Sequence, residues 1–230
     1  IEAIVDKAFE ELQKETEVTS EPVDDDWLVR FFNSVEDISD DTMRTIWGRI
    51  LAGEIVKPKS FSARTLDALK NISKNEAELF QTLVSYTLSW GKDVILLYDA
   101  SSPHNYNMRY DRLALLNECR LIDLSAISVS HITITSKDVL ELESEGLLVH
   151  IRNRSENSDK IQLTRLPLTT IGKEIFSVIY MDTSTDIQGI IELLSKQKYD
   201  KGKIQIEAFR ITLDKDGKST ANMSENIFEG

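Results

Sequence analysis

The residue types that carry chemistry are few in this chain of 230 residues, and their spacing joins them into no site. His104, His131 and His150 lie 27 and 19 residues apart, and Cys119 is the single cysteine, so none has the neighbours that a tetrahedral zinc site requires. Asp214, Asp216 and Glu225 match positions 1, 3 and 12 of a calcium-binding loop. Lys218 stands at position 5, however, and Ser219 replaces the required glycine, so D-K-D-G-K reads as a turn that ends a strand. No phosphate loop, dinucleotide fingerprint or G-x-S-x-G string occurs. Within a dense aromatic stretch, Arg49, Glu54 and Arg64 are the charged residues nearest the strings W-G-R-I-L-A-G-E and S-F-S-A-R-T-L, and the expectation is that Glu54 and Arg64 form a buried ion pair that fixes a turn. These readings give no catalytic residue, no cofactor and no metal.

That aromatic stretch, Trp27 to Phe80, specifies a helical scaffold. A first helix runs from Ile1 to about Thr16, with Ile1, Val5, Ala8, Phe9 and Leu12 on its inward face. Asp24 to Asp26 cap a second helix that buries Trp27, Leu28, Phe31, Phe32 and Val35. Ser39 opens a third, carrying Met43, Ile46, Trp47, Ile50 and Leu51, which Pro58 ends. Ser60 or Ser62 starts a fourth, and Ser73 with Glu76 makes a capping box for a fifth that reaches Leu88. Five helices with short connections predict a bundle over residues 1–90.

Beyond Trp90 the pattern changes to α+β. The strands are read at Val94 to Tyr98, Val129 to Thr135 and Lys203 to Leu213, with helices at Tyr110 to Cys119, from about Thr170, and at Thr185 to Lys198. Ser136 to Glu145 reads as a helix stopped by Gly146, followed by a hairpin of Leu147 to Arg152 and Lys160 to Arg165. L-N-E-C-R-L-I-D-L from Leu116 and L-E-S-E-G-L-L-V-H from Leu142 echo each other at an offset of 26, with Arg120 where the second copy has Gly146. The whole predicts a mainly α chain: a helical bundle over 1–90, then a winged-helix-like α+β domain over 91–230.

Charge bounds the partners. The net charge is −12, and residues 1 to 50 hold 14 acids against 5 bases, a surface that repels phosphate backbones and anionic lipids. The helix that would enter a DNA groove, S-K-D-V-L-E-L-E-S-E-G, has four acids against one lysine. Only Arg152, Arg154, Lys160 and Arg165, on the supposed wing, are candidate nucleic-acid contacts. One cysteine fits a reducing, cytoplasmic setting, and no apolar run approaches the ~20 residues of a membrane span.

The string Asp26-Trp27-Leu28 with Arg30-Phe31-Phe32, then Trp47-Gly48-Arg49-Ile50-Leu51-Ala52-Gly53-Glu54, then Pro58, Ser60-Phe61-Ser62 and Arg64-Thr65-Leu66, resembles a bacterial domain family of unknown function. The match is close over Ile1 to Phe80 and looser beyond, and Lys59 stands where glycine is expected after proline. More distantly, W-x-x-I-L-A and the later L-T-x-x-G are similar to the Abi-alpha group of abortive phage infection, which implies a defence role. Neither resemblance supplies a catalytic residue. Trp27, Arg30, Phe31, Trp47, Arg49, Glu54, Phe61, Ser62 and Arg64 are read as structural. The expected function is a non-enzymatic module that binds protein, itself or another, with no membrane partner; a nucleic-acid-binding regulator using the basic wing is the alternative.

Overall fold

Helices begin where a polar side chain can take an orphan backbone N–H. In the computed structural model, which describes residues 1–91, 93–99, 109–180, 183–213 and 219–229, Asp24 accepts from the N–H of Trp27 to open α2 (Asp25–Val35). Asp40, one residue later than the expected Ser39, does the same for α3 (Asp41–Val56), and Ser62 for α4 (Ala63–Lys70). Ser73 and Glu76 form the reciprocal capping box of α5 (Lys74–Val84), at 2.7 and 3.3 Å. Thr169 caps α7 (Thr170–Ile179) and Asp186 caps α8 (Ile187–Ser195).

The chain forms two units, each drawn from several segments. The first comprises Ile1–Gln81, Leu115–Ile122 and Leu168–Asp182 and is helical. Its centre is an aromatic stack: Trp27 lies parallel to Phe31 at 5.2 Å, and Phe31 meets Trp47 edge-on at 5.5 Å. Trp47, Phe31, Phe80, Ile50 and Leu66 are fully buried around it.

Helix α1 (Glu2–Leu12) turns a different face inward from the one its apolar spacing predicts. It buries Ile4 and Ala8 and leaves Ile1, Val5 and Phe9 exposed. The physical reason lies in α3. A Cβ at Gly48 would fall 2.6 Å from Lys7 Cβ and 3.1 Å from the Ala8 nitrogen, so the two backbones meet at a glycine and an alanine. Arg49 Nε, next in sequence, donates to Glu11 Oε1 at 3.3 Å. Residues 4, 8 and 11 therefore form the contact row, and the larger apolar side chains rotate outward.

The second unit comprises Thr82–Ala114, Asp123–Pro167 and Thr183–Gly230. It contains β1 (Thr87–Trp90), β2 (Asp93–Leu96), β3 (Ser128–Ile134), β4 (Val139–Ser144), β5 (Leu147–Asn153), β6 (Asp159–Arg165), β7 (Ile204–Leu213) and β8 (Ser219–Glu229). Six of these form an antiparallel sheet in the order β2-β1-β4-β5-β7-β8; β3 and β6 pair separately. Leu140, Leu142, Leu147, Val149, Ile151, Ile206 and Ala208 line the buried face of the larger sheet. In α8, Gly189 lies so close to the Tyr86 ring that a Cβ there would sit 2.3 Å from it.

The expectation of a mainly α chain ending in a winged helix is overturned by this sheet. V-L-E-L-E-S, read as a groove-entering helix, is β4, and its burial alternates residue by residue. Six residues with apolar side chains at Val139, Leu140 and Leu142 satisfy either period, and pairing with β5 selects the strand. The expected hairpin does not form either: β5 pairs with β4 and β7, whereas β6 pairs with β3. The fifth helix stops at Val84 instead of Leu88, because Thr87 Oγ1 donates to the Val84 carbonyl and Ser85 Oγ to that of Thr82. The fold is mixed α/β. The D-K-D-G-K turn and His104 lie outside the described residues.

Candidate functional site

Trp27, Glu54, Phe61 and Ser62 converge on the connection between α3 and α4. Glu54, only 2% exposed near the end of α3, accepts from the backbone N–H of Lys59 at 2.6 Å through Oε1 and from that of Phe61 at 2.9 Å through Oε2. Trp27 Nε1 donates to the Phe61 carbonyl at 2.7 Å. From α7, Glu174 Oε2 accepts from Ser62 N at 2.7 Å and from Thr65 Oγ1 at 2.6 Å. Gly53 makes room for the Phe61 ring, which would lie 2.9 Å from a Cβ at that position. Lys59 adopts φ +71°, the left-handed conformation for which glycine is the usual solution. The connection is thus a polar clamp closed by side chains of α2, α3 and α7.

Arg49 ties three helices together: besides the Glu11 bond, its Nη1 donates to the Val178 carbonyl of α7 at 3.1 Å. Burial alone would raise the Glu11 carboxyl, but hydrogen bonds from Lys14 and Arg49 outweigh it and hold the group below its ordinary value. Phe31 and Trp47 are core. Arg30 and Arg64 are exposed, so the buried Glu54–Arg64 pair expected from the sequence does not form; Glu54 instead holds backbone N–H groups.

A cleft of about 450 Å³ opens in the same unit, lined among others by Arg64, Asp67, Asn71, Glu76, Cys119 and Arg120. Its one nucleophile is poorly suited to attack. Burial, reinforced by the Glu76 carboxylate, pushes the Cys119 thiol up to about 11, so it stays protonated at neutral pH. Glu76 is held low chiefly by the Ser73 N–H. Arg120 ends α6 (Tyr110–Glu118) at φ +60° in a Schellman motif, with Leu121 N donating to Leu116 O at 3.0 Å and Arg120 N to Asn117 O at 2.9 Å. Arg120→Gly is expected to stabilise the protein by about 1 kcal/mol, roughly 2–4 °C in Tm for a chain of this size, as thermal unfolding would show.

In the second unit the four basic residues of the supposed wing separate: Arg152 lies on β5, Arg154 just beyond its end, and Lys160 and Arg165 on β6 of the other sheet. Arg152 Nη1 lies 3.6 Å from Glu207, and its Nη2 is 3.1 Å from His150 Nδ1. Arg154 Nε donates to Gln205 at 2.6 Å. Lys160 and Arg165 lie on β6, opposite Thr133 and Ser128 of β3. His150 is buried against Phe209, with Nε2 3.3 Å from Glu141 but misaligned for a hydrogen bond. Among the described residues no three His, Cys, Asp or Glu side chains gather as a metal site, and no helix is long and apolar enough to cross a membrane.

Sequence reasoning missed Glu174 and Glu11. Glu174 lies 112 residues from Ser62 and carries no local signal of its role. Glu11 is not among the inward residues that apolar spacing picks out on the first helix, and the pairing of Gly48 with Ala8 in adjacent helices is the signal that points to it. Comparison with curated proteins and with solved structures gives no significant match. A family model described as "Protein of unknown function (DUF2806)" matches residues 1–189. With four-fifths of its length matched, this chain belongs to the DUF2806 family.

Proposed function

We propose that this protein is a non-enzymatic module that binds another protein through α1. The observation that carries this reading is the apolar row that α1 leaves in solvent: Ile1, Val5 and Phe9, at i, i+4 and i+8, are 54%, 42% and 61% exposed. Such a row is the anchor pattern of a helix that docks into a partner's groove or against a partner's helix. Exposed Glu2, Asp6 and Glu10 flank it, so the fitting partner has an apolar seam with a basic rim. The non-catalytic part of the reading is supported by the use of Glu54, Arg49, Trp27 and Ser62 as internal braces, and by a thiol that remains protonated. The resemblance to the abortive-infection group makes phage defence the pathway in which to look first.

The test is affinity co-purification from the native host, with and without phage challenge and with nuclease treatment, comparing wild type with Phe9→Asp. Phe9 is exposed, so the variant should keep its stability to within about 0.5 kcal/mol. A nuclease-resistant protein that is captured by wild type and reduced at least about tenfold by Phe9→Asp is the expected result. Capture unaffected by the substitution, or material that disappears with nuclease, would overturn the reading.

A further inference from the structure

Among the described residues, the sheet formed by β3 and β6 has two strands, and β3 is its open edge. Each residue of Ser128–Ile134 is paired to β6, from Ser128 opposite Arg165 to Ile134 opposite Asp159. Among the described residues, the one hydrogen bond to the β3 backbone from outside β6 is that of the Asn153 side-chain amide to the Ile134 carbonyl. The remaining outward N–H and C=O groups of β3 form a row ready to accept an extended strand.

Proteins ordinarily guard such an edge with lysine, proline, a bulge or a very short strand. This one has none of these. S-V-S-H-I-T-I is seven residues long in unbroken register, and the thirteen residues Leu124–Ser136 contain no Asp, Glu, Lys, Arg, Pro or Gly. Val129 is 46% exposed, and Ser128, His131 and Thr133 are also open to solvent. Its serine, threonine and β-branched side chains favour an extended conformation.

We infer that β3 pairs with β3 of a second copy, antiparallel about a two-fold axis at His131, to make a continuous four-stranded sheet. Two features favour a second copy as the occupant. A chain of net charge −12 repels itself over most of its surface, and this edge is a place where two copies meet without a charged side chain on either strand. The strand is also self-complementary: centred on His131, Val129 faces Thr133 of the partner subunit and Ser130 faces Ile132 of the partner subunit, which are favourable cross-strand pairs. Four strands also form a more stable sheet than an isolated pair.

The experiment uses the whole chain. Sedimentation of the wild type should give a concentration-dependent dimer, and His131→Lys, which sets two like charges opposite each other, should shift it to monomer with unchanged circular dichroism; Val129→Lys should act in the same direction. In a Cys119→Ser background, His131→Cys should give a disulfide-linked dimer under mild oxidation, whereas Lys137→Cys should not. A wild type that stays monomeric at its highest soluble concentration would overturn the inference, including the case in which another protein's strand takes this edge. So would a dimer indifferent to both lysine variants. Phe9→Asp should leave the dimer intact and His131→Lys should leave capture through α1 intact, so each reading fails separately.

Discussion

Gly172→Ala is expected to destabilise the helical unit by more than about 3 kcal/mol, since among the described glycines it is the one where an added Cβ meets its surroundings most closely. Gly172 is the third residue of α7, and a Cβ there would lie 1.9 Å from the carbonyl oxygen of Leu121 and 2.8 Å from its carbonyl carbon. Neither partner has room to move. Leu121 O accepts from Thr169 N at 3.1 Å, and Leu121 N closes the Schellman motif of α6 on Leu116 O at 3.0 Å. The N–H of Gly172 is itself bound by the Thr169 cap at 2.9 Å. Relief of the clash must therefore break a cap, a helix terminus or both. Alanine's advantage in helix propensity, about 1 kcal/mol, is too small to compensate. Urea denaturation of Gly172→Ala beside Gly202→Ala checks this, since a Cβ at Gly202 meets only an Asp200 side-chain oxygen at 3.2 Å. Equal midpoints for the two variants would contradict the close approach.

Glu54→Gln is expected to cost about 2–4 kcal/mol, although it preserves the shape of the side chain. Both carboxylate oxygens accept from backbone N–H groups in a site that is 2% exposed. A carboxamide has one oxygen, so whichever way it is turned, its NH₂ faces the N–H of Lys59 or that of Phe61, donor against donor. The loss should extend to the Trp27 indole bond on Phe61 O and to the Glu174 bond on Ser62 N, because both act on the same short connection. Chemical denaturation measures the total. A Trp27→Phe, Glu54→Gln double-mutant cycle should show coupling of at least about 0.5 kcal/mol, as expected for groups holding one loop. If Glu54→Gln unfolds with the wild-type midpoint, Glu54 is not a brace and its buried carboxylate must be assigned another role.

Helix ends were legible wherever the decisive interaction spans three or four residues. Ser73 with Glu76 and the helix opening near Thr170 were readable, and the caps of α2 and α4 were narrowed to Asp24–Asp26 and to Ser60 or Ser62, because a cap and the N–H it binds lie on one turn of chain. Ser39 and Asp40 are adjacent and both good caps, so local sequence does not separate them, and the N–H of Met43 binds Asp40. The same local reading failed at Val139–Ser144. The six residues fit a helix or a strand, and β5 decides between them from across the sheet. The basic residues were visible as a cluster in sequence, but the placing of Arg152 on one sheet and of Lys160 and Arg165 on another was not, since strand pairing is nonlocal.

The sequence by itself determined the helical N-terminal segments and the aromatic centre built on Trp27, Phe31 and Trp47, because periodicity, caps and large apolar side chains act through near neighbours. Tertiary structure alone decided which face of α1 meets solvent, what Glu54 and Glu174 hold, and which strand is left with an open edge. The physical reason is the same in each case: these outcomes depend on how closely two backbones approach and which orphan hydrogen-bonding groups they present, and both are fixed by residues far apart in the chain.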